Sequence, residues 1–315
     1  MTLVELLVAM VIGLFLIITV VTVYISTAIS SRVSVLTAQM NEDAALAIEL
    51  LQEQVRLIAY SSQNEAGARN FSGVPLRGCD GGFTDGTANG PFDLLACNDG
   101  NGPDALAVRH EATRLNSQQV TVAGVQLPAN CTSNGIAAAD FGSGVAIALA
   151  DNRFYIANDN TNAGAPTLFC RGSIGLGGFS NAAALIPNIE DLQIRYAVTR
   201  QPVVGEVMPH QVTAHVDATH AALGNTVANW SRVAAVHICL VARSAQPMPL
   251  GNNLAVDVSR YIDCTDAEQT PADRFLRRSY RTTVYLRNTR PAVPGAFALD
   301  GVIPQNPYRA LPNGN

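Results

Sequence analysis

The side chains of this 315-residue chain with the chemistry to bind metals or form covalent links are six cysteines, five histidines and a loose set of Asp and Asn. The cysteines are Cys79, Cys97, Cys131, Cys170, Cys239 and Cys264. None form a C-x-x-C pair, which argues against a zinc ribbon or a thioredoxin-type motif, and no C-x-x-C-H binds haem. An even number at wide spacing fits disulfides in an oxidising compartment better than free thiols in a cytosolic protein. Spacing leaves the connectivity open. The sequential pairs Cys79–Cys97, Cys131–Cys170 and Cys239–Cys264 are expected because they close short loops. His210, His215 and His220 recur every five residues, matching neither a helix nor a strand period, so they predict no metal site. Asp99, Asn101 and Asp104, with Asp80 and Asp85, offer oxygens to calcium but lack the EF-hand order, and turn formation explains them more simply. No G-x-S-x-G elbow occurs, and Gly175-Leu176-Gly177-Gly178 lacks the strand–helix context of a dinucleotide site. Asn70, Asn130 and Asn229 open Asn-x-Ser/Thr triplets, which matter only where glycosylation machinery exists. The sequence therefore predicts neither an enzyme nor a cofactor.

One further charged residue stands out by position. Residues 1–30 read MTLVELLVAMVIGLFLIITVVTVYISTAIS, and their only charge is Glu5. The run is long enough to span a bilayer as a helix. It lacks the basic start and short apolar core of a secretory signal peptide. A carboxylate in such a segment costs about 2.5–3.5 kcal/mol at mid-membrane, so a partner is expected. The α-amino group at Met1 of a neighbouring copy would serve.

Charge and composition set the wider limits. The net charge is −5 and only 14% of residues are charged, which excludes a basic nucleic-acid-binding surface. Aromatic residues make up 6%, with Trp230 the single tryptophan. Beyond Arg32, the residues Val33, Leu36, Met40, Ala44, Ala47, Leu51, Val55 and Ile58 recur at steps of three and four, an amphipathic continuation of the first helix. A helix from 1 to 58 would run about 87 Å. Gly13 is its one strong helix weakener in the apolar half.

Residues 61–102 read as a long loop pinned by a disulfide. Strand-like runs follow at Asp104–His110, Gln118–Val122, Val145–Ala150, Asn152–Ala157, Thr167–Cys170, Leu192–Val198, Val233–Ala242 and Ser279–Leu286. The expected fold is α+β, with the long N-terminal helix packed on an antiparallel β-sheet head with disulfide-pinned loops. Its parts are an apolar helix at 1–30, the amphipathic half of the same helix at 31–58, a globular β-rich head at 59–290 and a Pro-rich tail at 291–315. The tail's apolar residues make it either a strap across a head or a free terminus.

The stretch Thr2-Leu3-Val4-Glu5-Leu6-Leu7 resembles the start of mature type IV pilins and type II secretion pseudopilins, with Glu5 at the family's charged position when Met1 is the mature N-terminus. Four head segments resemble the PilW-type minor pilins: Gly102–Val108, Ile189–Tyr196, Arg232–Ser244 and Arg277–Asn288. Residues 201–230 have no counterpart and look like an insertion. The resemblance implies a type IV pilin fold and a structural subunit of a type IV pilus or related filament. It also implies cleavage by a prepilin peptidase and N-methylation at Met1. Implied partners are other copies or other pilins, the inner-membrane assembly machinery and, before assembly, the membrane itself. The chain is expected in the bacterial inner membrane first, then in an extracellular filament. In assembled pili of this family the helix can lose regularity after a residue such as Gly13. The alternatives are a major subunit forming the whole fibre, a type II secretion pseudopilin, and an adhesin-like head on a pilin anchor.

Overall fold

A computed structural model of the chain describes residues 2–63, 69–71, 73–84, 90–98, 100, 102–176, 178–200, 211–224, 227–248 and 259–289. Met1, Asp85, Asp99, Asn101, Gly177, His210 and the tail from 290 onward lie outside the described residues. The first helix, α1, is continuous from Leu3 to Leu57. No proline interrupts it, and Gly13 alone does not break it. It ends where Ile58 turns extended and Ala59 adopts a positive φ of 61°. The apolar stripe Leu36, Met40, Ala44, Ala47, Leu51 and Val55 is buried, at the spacing of one helix face.

Among the described residues sixteen strands follow: β1 (Leu76–Cys79), β2 (Ala105–Glu111), β3 (Gln119–Val122), β4 (Val125–Pro128), β5 (Ala139–Asp140), β6 (Ala146–Ile147), β7 (Leu149–Asp159), β8 (Ala165–Gly175), β9 (Gly178–Phe179), β10 (Ala183–Pro187), β11 (Ile189–Thr199), β12 (Val212–Val216), β13 (Val233–Arg243), β14 (Tyr261–Ile262), β15 (Glu268–Gln269) and β16 (Arg277–Tyr285). A short helix, α2 (Val227–Trp230), precedes β13. The fold is α+β, with every strand pair antiparallel.

Among the described residues the head contains two principal sheets rather than one. One has the order β1-β2-β7-β8-β10, with β9 on β8; the other has the order β12-β11-β13-β16. The long strand β7 takes in the end of one expected run and the whole of the next. Helix α1 packs chiefly on β13 and β16, and also touches β2 and β10. Side chains fix it there. Asn188 Nδ2 donates to Asp43 at 3.1 Å and Asn152 Nδ2 to Gln54 at 2.7 Å, while the Tyr280 hydroxyl donates to Asn41 and Gln52 Nε2 to Thr282. Asn288 Nδ2 reaches the carbonyls of Arg56 and Ile58 at 3.0 and 3.1 Å, tying the end of the last strand to the end of the helix.

Asp104 joins the two sheets. Its amide donates to Leu192 O at 2.7 Å, and its carboxylate accepts from Ile194 N at 2.7 Å and Gly81 N at 3.1 Å. Burial raises its pKa to about 7, against the opposing pull of those amide bonds.

Two regions differ from their sequence reading. Residues 61–102 hold β1 and a 3-10 turn at Phe92–Leu94, and bury Phe71, Val74, Leu76, Phe83, Phe92 and Leu95. Those apolar residues are scattered among Gly, Asn and Asp with no period, so the text reads as loop while the side chains fill the core. The apparent insertion at 201–230 likewise supplies β12 and the fully buried Trp230. The Trp230 ring meets Tyr196 edge-on at 5.2 Å between centroids, and Arg77 lies 5.7 Å from its centroid. Tyr196 in turn lies against Gly78, where a Cβ would come within 2.0 Å of the Tyr196 hydroxyl; no larger residue fits there without moving that ring.

Candidate assembly site

The first part of α1, as far as Arg32, whose Nη2 bonds Gln246 of the head at 2.7 Å, projects from the head. Every large apolar side chain from Leu3 to Ile25 is at least 46% exposed, and the most apolar window of the helix has a mean hydropathy of 3.0 with nothing buried. Consecutive residues such as Leu14, Phe15, Leu16, Ile17 and Ile18 place hydrocarbon on all sides of the helix. This is a helix that water does not favour and that an apolar medium must surround. It is the one helix among the described residues long and apolar enough to cross a membrane.

Three threonine hydroxyls inside this segment are satisfied locally. Thr19 donates to the carbonyls of Phe15 and Leu16, Thr22 to Thr19, and Thr27 to Val23, all at 2.8–3.1 Å. Such back-bonding removes the cost of carrying hydroxyls into hydrocarbon. Nothing stands within 4 Å of where a Cβ would sit on Gly13.

Glu5 occupies a more specific position. Its carboxylate accepts from Thr2 N at 2.7 Å, and the Thr2 hydroxyl accepts from Glu5 N at 3.4 Å. The two residues form a reciprocal capping box that satisfies two of the amides at the start of the helix. The signal was present in the sequence as Thr-x-x-Glu ahead of an apolar run, but the apolar context drew attention to the charge and away from the cap. Only one Glu5 oxygen is engaged in this bond, so the carboxylate can cap its own helix and still face a cation from outside.

The other residues singled out by the sequence do not converge. Cys79 is bonded to Cys97, Cys131 to Cys170 and Cys239 to Cys264, with Cα–Cα distances of 5.0, 6.3 and 5.7 Å. The first bond ties β1 to the chain after the 3-10 turn, the second ties the segment after β4 to β8, and the third ties β13 to the turn after β14. Asp80 accepts from Ala218 N and Thr219 N at 2.9 Å each, and Asp104 is used as described above. The described members of the proposed oxygen cluster thus serve backbone amides, and no group of three metal-ligating side chains occurs among the described residues. His215 lies near His237, 4.7 Å between ring centroids with the rings tilted 54° to each other, whereas the His220 Nδ1 accepts from Ala222 N at 3.1 Å. Asn70 and Asn130 are buried and hydrogen-bonded to Ser62 and Ser173 respectively.

A family model described as type IV pilus-assembly protein W (PilW) matches residues 153–288, from within β7 to just past β16. Among solved structures, a type IV-like pilin from Thermus thermophilus is similar over 79% of this chain and 97% of that one, at 12% identity and a TM-score of 0.33. No curated protein matches.

Proposed function

We propose that this chain, whose head is similar to PilW over β7 to β16 and whose first helix begins with a half that is apolar on every side, is a structural subunit of a type IV pilus or closely related extracellular filament. The observation that carries this reading is the change of surroundings along α1. One half is core of the head, and the other half is exposed hydrocarbon with a single carboxylate near its tip. Before assembly that half lies in the inner membrane, after a prepilin peptidase has exposed the Met1 amine. Helix–helix packing with other subunits then replaces lipid, while the head stays outside. Its role is structural rather than enzymatic.

Glu5 directs the docking step in this reading. Its carboxylate pairs with the Met1 amine of an adjacent subunit, which neutralises both charges in an apolar surrounding where either alone is costly. The capping box supplies a way to separate this role from helix capping. Glu5→Ala removes both the cap and the charge. Glu5→Gln keeps the cap, because Gln serves in a capping box, and removes only the charge. Both variants are expected to insert in the membrane yet fail to enter sheared filaments. Normal incorporation of Glu5→Gln would sink the charge-pairing mechanism and leave the cap as the function of Glu5.

The likeness to PilW supports a minor subunit that primes assembly or sits near the tip. Mass spectrometry of sheared surface filaments tests this: trace amounts of the chain are expected, and its dominance would make it the major subunit.

A further inference from the structure

The sheet β12-β11-β13-β16 has an inner face on α1 and an outer face turned away from it. Thr282 bonds Gln52 of α1, so its neighbour Thr283 stands on the outer face. His237 lies directly across from Thr283 in the register of β13 on β16, and Arg195 lies across from His237 on β11. On the same face His215 of β12 stands opposite Ala197 of β11, which stands opposite Ala235 of β13. His215 and His237 therefore come from strands two places apart, and the small side chain of Ala197 between those strands lets the rings meet. Their centroids are 4.7 Å apart and the rings are tilted by 54°.

The hydrogen bonds leave a nitrogen open on each ring. His237 Nδ1 shares a hydrogen bond with Thr283 Oγ1 at 2.8 Å, which orients the ring. With that nitrogen as donor, the lone pair lies on Nε2, and Nε2 is buried with no hydrogen-bond partner among the described residues. Metal-holding histidines share this arrangement, one nitrogen donating to a neighbour and the other ligating. The His215 ring is exposed and makes no hydrogen bond among the described residues. Burial, and next the charge of His215, hold the His237 pKa below the ordinary 6.5, so the ring is neutral, its ligating form, at neutral pH. The guanidinium groups on this face are each matched by a carboxylate, Arg195 by Asp217 at 3.4 Å and Arg281 by Asp266 at 2.6 Å.

We propose that His215 and His237 together bind one divalent late first-row metal ion, of the class of Zn2+ or Ni2+, with water in the remaining positions. Two imidazoles on one ion, with N–metal distances of about 2.0–2.1 Å, have ring centroids about 4.5 Å apart at a right angle and about 5.2 Å apart at the tetrahedral angle. The observed 4.7 Å falls between these values. Imidazole nitrogens suit zinc, nickel and copper, whereas magnesium and calcium prefer carboxylate and carbonyl oxygens. No third metal-ligating side chain stands close by among the described residues, so the site is open to solvent on its far side. It lies on the sheet face away from α1, and the inference stands apart from the assembly role.

Calorimetric titration of the detergent-solubilised full chain at neutral pH tests it. The probes are ZnCl2 and NiCl2, with MgCl2 and CaCl2 as comparators. Zn2+ and Ni2+ are each expected to bind saturably, and Mg2+ and Ca2+ about tenfold more weakly or worse. His215 is exposed, so His215→Gln is expected to weaken Zn2+ binding by about tenfold or more while leaving the thermal unfolding midpoint unchanged. His237→Gln is expected to cost the same affinity. His220, whose Nδ1 accepts from Ala222 N, serves as the control, and His220→Gln is expected to leave binding intact. Lack of saturation by Zn2+ and Ni2+ at about 1 mM overturns the proposal. So does equal binding of Mg2+ or Ca2+, Zn2+ binding that survives His215→Gln or His237→Gln, or binding that is lost in His220→Gln.

Discussion

Residues 3–35 and 36–57 of α1 belong to one unbroken helix, yet the more hydrophobic half is the exposed one. In the second half, the buried apolar residues form a stripe, and Asn41, Asp43, Gln52 and Gln54 flank it with hydrogen bonds into the head. In the first half the apolar side chains from Leu3 to Ile25 are exposed around the whole helix, and among the described residues its side-chain bond to the head is that of Arg32 Nη2 to Gln246 at 2.7 Å. Apolar content thus does not decide what this chain buries. A stripe fits a single partner surface; a fully apolar girth needs a surrounding medium.

The sharpest test of that contrast is a matched pair of truncations. Leu51 is 1% exposed and Leu16 is 61% exposed. Leu51→Ala should lower the stability of the head by about 2–5 kcal/mol, because it leaves a cavity under the sheet. Leu16→Ala should change it by less than about 0.5 kcal/mol. Urea unfolding of the full chain in detergent, followed by Trp230 fluorescence, reads both. Similar costs for the two would mean that the first half packs on the head after all.

A smaller effect comes from Asp104 at the junction of the two sheets. Its folded pKa, about 7, lies above the ordinary carboxylate value of 3.8. Between those values the folded state holds a proton that the unfolded chain has released. Its contribution to stability is therefore full below about pH 4 and is lost as pH rises toward 7, by up to about 4 kcal/mol. Asp104→Asn keeps an acceptor for Ile194 N and should flatten this slope. A slope unchanged in the variant would assign the pH dependence to another group.

The smallest expected effect lies in the projecting half. Gly13→Ala adds a methyl group into open space and should stabilise the local helix by about 0.8–1 kcal/mol without shifting the unfolding of the head. Circular dichroism in detergent and the unfolding midpoint check this. If the same variant enters filaments poorly, the helix has to loosen at that point during assembly.

Much of α1 was legible because a helix announces itself locally. The stripe from Leu36 to Val55, the absence of proline and the lone Glu5 are all short-range signals. Strands β11, β13 and β16 were legible for the same reason, as runs rich in β-branched, aliphatic and aromatic residues. The division into two sheets was not, because it depends on which strand pairs with which across long separations. Phe71, Phe83 and Phe92 were hidden as single apolar residues in glycine-rich text, and Trp230 was hidden in a segment with no period. The ion pair of Arg109 with Asp151, 3.1 Å apart, was the least legible feature. Arg109 and Asp151 become neighbours only through the register of β2 on β7, and nothing near either residue signals the other.

The contacts of α1 with the head also determine how a load would pass through the molecule. They are spread from Leu36 to Val55, and Asn288 locks the last strand to the helix end. Tension applied along the helix axis therefore acts on this row in shear, with many contacts sharing the force at once, instead of peeling them apart one by one. The head hangs from the helix by its flank, an attachment suited to a part that is pulled lengthwise.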